Sequence, residues 1–377
     1  MGDAWLYLEN FRYGAADTTF NAHWGTMYRE NTTEKIMRIL NVNNINRVAE
    51  ICGSDLRRRG HFVALYEPSL VGGLAPLPIK FAMMPRRIFD LGRIVGKLNP
   101  DYFDIVHIHW ASYGVLGSVS RIPFIVHCHG SDVRYRLMQP FFRPMLTTIF
   151  RQAAAVMCIT PDLLPVVQSV RADAIFFPAP IDTGLFAPRE DEQEHLSQPW
   201  TILLFARLDS TKGVDISTQG IARFAQRHTG TRVQLLDWGD LSAQYKQQYA
   251  NRFEFVPPVA PGKVAYLIRS ADVIVGQVAL GALGLSELQA MSCAKPVIAS
   301  FRYEDAYPTP PPICQATSAE EVDEHLEYFF QHPEGARALG QRARAWVIHN
   351  HDYRTLVGKL EMHYHSIVEM PVVGIGL

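Results

Sequence analysis

The sequence has almost no net charge: 36 Lys and Arg stand against 37 Asp and Glu, a formal charge of −1. That balance offers no global attraction for nucleic acid, though it leaves room for a few local cations to hold a phosphorylated small molecule. Paired cysteine spacing is also missing. Cys52, Cys128, Cys158, Cys293 and Cys314 are scattered, most of them in apolar stretches, and read as buried free thiols in a reducing, cytoplasmic setting. Residues 1–34 lack the charged start and apolar run of a secretory leader. The longest weakly polar run, 273–285, contains Gln277 and is too short to span a bilayer. The expectation is a cytoplasmic protein, at most peripheral to a membrane.

What is present is enough apolar sequence for two cores. The chain has 377 residues, too many for one ordinary core, and is 48% hydrophobic. Residues 1–34 show no clear period and read as an extension. Beyond them an apolar run at 36–42 reads as a strand, 45–59 as a helix and 62–66 as a second strand, the order of a parallel sheet. Further short strands are expected at 105–109, 124–128, 155–159 and 175–177, with a helix at 144–152. Pro178-Ala179-Pro180 and the charged, turn-rich stretch up to Pro199 mark a linker. The rhythm then restarts, with strands at 201–206, 232–236, 253–256, 272–276 and 296–299. Helices are expected at 213–228, 263–270, 285–292, 319–332, 335–349 and 353–368. The fold class is α/β: two doubly wound, Rossmann-like parallel-sheet domains facing a cleft, where ligands of such sheets bind. The expected division is an extension over 1–34, domains over 35–185 and 186–352, and a last helix over 353–377.

Three segments carry chemistry. In 271–300, ADVIVGQVALGALGLSELQAMSCAKPVIAS, a strand runs into Gly276, Gly281 and Gly284 and then into a helix near Leu285. Glycines let a loop approach an anion closely, and a helix start supplies unpaired N–H groups and partial positive charge. The plain alternative is a glycine turn for tight strand–helix packing. In ARLDSTKGVD, Arg207 and Lys212 follow a strand where it opens toward the cleft; Arg offers a planar fork for phosphate oxygens and Lys a point charge. The third segment is the histidine set, IVHIHW and FIVHCHGSDVR. Residues i and i+2 of a strand share a face, pairing His107 with His109 and His127 with His129. His129, last before Gly130, is the best candidate for substrate contact. His107 and His127 read as core histidines, with a zinc site as the sharper and weaker rival. Asp132 and Arg134 follow in the same loop, toward an acceptor.

These residues resemble the GT-B glycosyltransferases of the retaining group that carries an E-x7-E motif, over about residues 36–365. The resemblance rests on DIVHIHW, FIVHCHGSD, PAPIDTGLF, LLFARLDSTKGVD and the 271–300 block. It implies transfer of a sugar, with retention, from a nucleotide diphosphate sugar of UDP or GDP type to a hydroxyl-bearing acceptor, with no resident cofactor. It implies that Arg207 and Lys212 hold the donor diphosphate with the backbone of Gly284, Leu285 and Ser286. The turn at Val256 and Pro257 would meet the base, and His129 would sit near the reacting carbon. The acceptor side would involve Asn43, Asn44, His109, Trp110 and Asp132, Asn43-Asn44 standing where the family has a glycine pair. Gly281 and Gln289 fall where the family carries its two glutamates; Gln289 can still accept a ribose hydroxyl. No Asp-x-Asp pair occurs in the chain, so no metal clamp on the diphosphate is expected.

Two rival functions share this fold: a nucleotide-sugar epimerase, which converts the donor alone, and a non-catalytic subunit or binding protein, which the loss of a glutamate at Gly281 favours. The stretch 80–98, KFAMMPRRIFDLGRIVGKL, with Phe141, Phe142 and Arg143, reads first as a solvated amphipathic helix and alternatively as a peripheral contact with anionic lipid. The sequence leaves the oligomeric state open.

Overall fold

The computed structural model describes residues 35–68, 85, 89, 92, 94–96, 98–189 and 199–369. They divide into two compact units. The first runs to Ile159 and takes in Leu163–Phe177 and the chain from Arg354 on; the second comprises Thr160–Asp162 and Pro178–Tyr353.

The first unit is built on strands β1 (Arg38–Val42), β2 (Phe62–Tyr66), β3 (Ile105–His109), β4 (Phe124–Cys128), β5 (Ala155–Cys158) and β6 (Ile175–Phe176). All pairs are parallel, in the order β2-β1-β3-β4-β5-β6. Strands β3 and β4 are buried along their whole length, which explains why both are apolar runs interrupted only by histidine. The helices are α1 (Val48–Arg58), α2 (Gly114–Val119), α3 (Phe142–Gln152) and α4 (Leu164–Gln168). Strand order reverses between β1 and β3, so the loops after these two strands flank the point where a doubly wound sheet opens.

The expected helix over 45–59 is divided. A single 3-10 turn, Ile45–Arg47, precedes α1, and Asn43, Asn46 and Arg47 all have positive φ, at 71°, 51° and 63°. Asparagine tolerates this region better than other side chains, so Asn43 does here what a glycine would do.

The second unit repeats the plan. Strands β7 (Thr201–Leu204), β8 (Arg232–Leu236), β9 (Glu254–Val256), β10 (Val273–Val275), β11 (Val297–Ala299) and β12 (Cys314–Gln315) form a parallel sheet in the order β12-β11-β10-β7-β8-β9. Its helices are α5 (Val214–Arg227), α6 (Ser242–Tyr249), α7 (Pro261–Arg269), α8 (Leu285–Ser292), α9 (Ala319–Gln331) and α10 (Pro333–His351). Ile202, Leu204, Val233, Leu235, Val273 and Val275 pack with apolar residues of α5 and α9 in one buried cluster. Here the order reverses between β7 and β10, and the two loops singled out in the sequence follow these two strands. Helix α6 went unread because SAQYKQQY is polar apart from two tyrosines four residues apart, both buried.

The last helix, α11 (Tyr353–Glu369), belongs to the first unit from Arg354 on, where Glu361 takes a 2.7 Å hydrogen bond with His61 and a 3.1 Å ion pair with Arg59. All five cysteines are free thiols, Cys314 alone not fully buried. No helix among the described residues is long and apolar enough to cross a membrane. The extension over 1–34 and the cations of the 80–98 stretch lie outside the described residues. Phe141, beside α3, is 84% exposed.

Candidate active site

The loop after β7 is shaped by one carboxylate. Asp209, nearly buried, accepts a 2.9 Å hydrogen bond from the Thr211 amide, which starts the turn Ser210–Lys212, and also pairs with Arg207. The Arg207 guanidinium is half exposed and lies 5.9 Å from the centre of the Trp238 ring. Lys212 is partly buried and makes no ion pair among the described residues. Its carbonyl accepts from the Val278 amide at 3.0 Å, tying this loop to the one after β10. Gly213, with φ 67°, makes the approach possible: a Cβ there would stand 2.8 Å from Val278 Cγ2 and 3.0 Å from Ala279 Cβ.

The loop after β10 is held by two buried side chains that the sequence reading did not assign. Gln277, 1% exposed, donates from Nε2 to the carbonyls of Ala282 (3.0 Å) and Ser300 (2.7 Å), while Oε1 accepts from the amides of Leu280 (2.7 Å) and Gly281 (3.2 Å). Glu287, in the first turn of α8, accepts from the amides of Gln277 and Gly284, both at 2.9 Å. A glutamate three residues after a helix-start glycine is a capping signal, and a lone Gln in an apolar run is a sign of a buried polar staple. These bonds leave the amides of Leu285 and Ser286, at the start of α8, without a partner among the described residues. Gln289 is partly buried, one turn further on. Val256 ends β9, two strands from β7, with its carbonyl already taken by the Asp237 amide at 2.8 Å; Pro257 is exposed and has no N–H to offer.

In the first unit, His109 lies opposite His127 in the β3–β4 register, so the four histidines form one cluster. His107, His109 and His127 are at most 1% exposed, and His129 is half-buried at the open end of β4. The Tyr364 hydroxyl lies 2.6 Å from His107 Nδ1, and His109 bonds Asn41 and His129, both at 3.3 Å. Among the described residues His107 Nε2 closes no hydrogen bond, and neither His127 nitrogen closes one of normal geometry. Nitrogens of His107, His109 and His127 lie within 4.8 Å of one another. The rings nevertheless stack, His107 on His109 at 4.2 Å and 24° and His107 beside His127 at 5.4 Å and 8°. A metal lies in the plane of each ring that binds it, so stacked faces suit packing better than chelation.

The glycosyl transferase 4-like domain family matches residues 52–172, and the glycosyl transferase-like family matches residues 214–361, together well over half of the chain. The chain belongs to the group 1 glycosyltransferases. No curated protein matches it. Among solved structures it is similar to HepE of Anabaena, crystallised with UDP and glucose: 15% identity, 88% of this chain and 100% of that one, TM-score 0.66. Sucrose-phosphate synthase of Thermosynechococcus elongatus is 17% identical over 88% of this chain and 99% of its own, with TM-score 0.70. A glycosyltransferase of Rickettsia africae is 14% identical over 90% and 100%, with TM-score 0.67. At such identities the likeness establishes the shared fold, which is GT-B.

The expected roles of five residues in this glycosyltransferase change with the structure in hand. Gly281 offers no side chain, and its amide is spent on Gln277, so it is not a free donor ligand. Asp132 does not face an acceptor. It is fully buried, and its carboxylate accepts from the amides of Ala111 (2.9 Å), His129 (3.0 Å) and Gly130 (2.7 Å), which fixes the backbone that presents His129. His109 is equally buried and serves as a packed ring behind His129. Asn43 and Asn44 use their side chains on the fold: Asn43 Nδ2 donates to the His109 carbonyl at 2.9 Å, and Asn44 Oδ1 accepts from the Glu50 amide at 3.2 Å. Trp110 remains partly exposed directly after β3.

The buried histidine cluster is expected to weaken the fold in acid. Burial pushes His107, His109 and His129 well below the usual imidazole range, neighbouring rings adding to the effect. Burial takes His127 down to about 4, tempered by the Phe177 backbone. These rings are neutral when folded, whereas the unfolded chain takes up their protons near pH 6.5, as ordinary histidines do. Stability from this source is therefore complete above about pH 6.5 and falls as pH drops toward 4, by about 1.4 kcal/mol per pH unit for each ring. Urea unfolding of His127→Val across that window should show the slope reduced by about one proton. An unchanged slope would mean that His127 does not hold the neutral state.

Proposed function

We propose that this glycosyltransferase moves a sugar, with retention, from a UDP- or GDP-sugar to a hydroxyl acceptor without a metal ion, in the cytoplasm. One observation carries the reading. The two loops at the strand-order reversal of the second sheet are tied through Lys212 and Val278, with a lysine on one loop and two helix-start amides beside the other that have no partner among the described residues. A diphosphate is the ligand such a combination suits.

In the reaction the bond from the anomeric carbon to the diphosphate oxygen breaks, and a bond to the acceptor oxygen forms on the same face. The acceptor proton passes to the departing diphosphate. Charge on that leaving group is met by Lys212, Arg207 and the amides of Leu285 and Ser286. The two amides are fixed by the fold and Arg207 is held by Asp209 before substrate arrives, which limits reorganisation. With no Asp-x-Asp pair to carry a divalent ion, the cations do its electrostatic work. His129 is the first unit's candidate for the acceptor hydroxyl. As a neutral ring it accepts or donates one hydrogen bond without adding charge.

Incubation with UDP- and GDP-sugars, with and without simple glycoside acceptors, tests the proposal. Acceptor-dependent release of UDP or GDP, with the product keeping the donor's anomeric configuration, is the expected result. Conversion of the donor sugar alone would mark an epimerase, and binding without turnover on any acceptor would mark a non-catalytic protein.

A further inference from the structure

A cation occupies the place beside Gly281 where a side chain would sit. Gly281 has φ 73°, and a Cβ built on it would overlap Arg302 Nε and stand 3.0 Å from both Cζ and Nη2. Arg302 follows β11, next to β10 in the sheet, and its own amide donates to the Gly281 carbonyl at 2.9 Å. Nη2 donates to the carbonyls of Ala279 and Leu280, each at 3.2 Å, which lays the guanidinium along the loop. The residue is exposed, pairs with no carboxylate among the described residues, and has Nε and Nη1 without a hydrogen bond. Gly281 lies three residues before Gly284, where α8 begins. The proposed diphosphate site at the start of α8 therefore lies within three residues of this stretch of loop.

The geometry points to a donor whose sugar carries a carboxylate, a hexuronate, with Arg302 as its recognition residue. The inference rests on the proposed diphosphate site and adds the class of sugar to it. A neutral hexose needs acceptors for its hydroxyls, and this loop spends the carbonyls of Ala279 and Leu280 on Arg302 and that of Ala282 on Gln277, with no side chain at 281. What it presents outward is positive charge with unused N–H donors, and a planar carboxylate is the group that satisfies such a guanidinium. A side chain at 281 would be strained by the positive φ and would push the Arg302 guanidinium from this position, so the glycine leaves the arginine its place.

The test is calorimetric titration of the full chain with UDP, UDP-glucose and UDP-glucuronate, and in parallel with GDP, GDP-mannose and GDP-mannuronate. The uronate of whichever base binds is expected to bind about 10- to 100-fold more tightly than the neutral sugar, the range of a charge-assisted hydrogen bond. Arg302→Gln should remove that preference and leave the bare diphosphate unchanged, and Arg302→Lys should restore part of it. Equal affinity for the two sugars in the wild type would overturn the inference while sparing the diphosphate site. An Arg302→Gln loss as large for the bare diphosphate would also overturn it, because the guanidinium would then serve the phosphates. If neither nucleotide series binds at all, the diphosphate site falls, and the uronate with it. Unaltered melting temperatures of the two variants confirm that each reading concerns the ligand.

Discussion

Lys212→Met lowers turnover about 100- to 1,000-fold, the effect typical of removing one preorganised donor from a developing negative charge. Methionine keeps the unbranched stem, one atom shorter, and discards the ammonium charge. The backbone at 212 is fixed independently, since its carbonyl is held by the Val278 amide and its amide by the Asp209 carbonyl. The loop should therefore keep its shape, and the loss should appear in kcat more than in melting temperature. Arg207→Ala should cost less. Its guanidinium is half exposed and already shared with Asp209, so part of its charge is neutralised before any ligand arrives. Steady-state kinetics of the two variants with one accepted donor settles the order. Equal activity of Lys212→Met and the wild type would remove Lys212 from the reaction.

Asp132→Ala destabilises the first unit by about 3–5 kcal/mol. Three amides, those of Ala111, His129 and Gly130, converge on this carboxylate, and each buried donor left unpaired costs about 1–3 kcal/mol before water or local relaxation recovers some of it. Asp132→Asn keeps one accepting oxygen and should fall between alanine and the wild type. Urea unfolding measures both. A loss below about 1 kcal/mol for alanine would show that the loop finds other partners. Both variants should also weaken catalysis, because the same bonds set the backbone of His129.

The fold was legible where burial dictates composition. Strands at 62–66, 105–109, 124–128 and 232–236 and the helix at 285–292 stand where apolar periodicity puts them, because a parallel sheet covered on both faces leaves its strands little choice of residue. The site was legible as a set of loops but not as a set of roles. Asp132 and Asp209 are charged loop residues that sequence alone makes solvent-facing or ligand-facing, whereas Gln277 and Glu287 carry local signals of a buried and a capping role. In the structure each turns onto backbone amides and holds a loop in place. The role of Arg302 depends on β10 and β11 lying side by side, a tertiary fact that no local pattern carries.

The central claim is that Lys212 and the start of α8 grip one diphosphate. The most direct test compares the affinities of UDP with uridine, and of GDP with guanosine, for the wild type and for Lys212→Met. The account predicts that the wild type binds one diphosphate far more tightly than its nucleoside, and that the variant loses most of that difference with nucleoside affinity unaltered. A Lys212→Met protein that keeps the full preference for the diphosphate would contradict it.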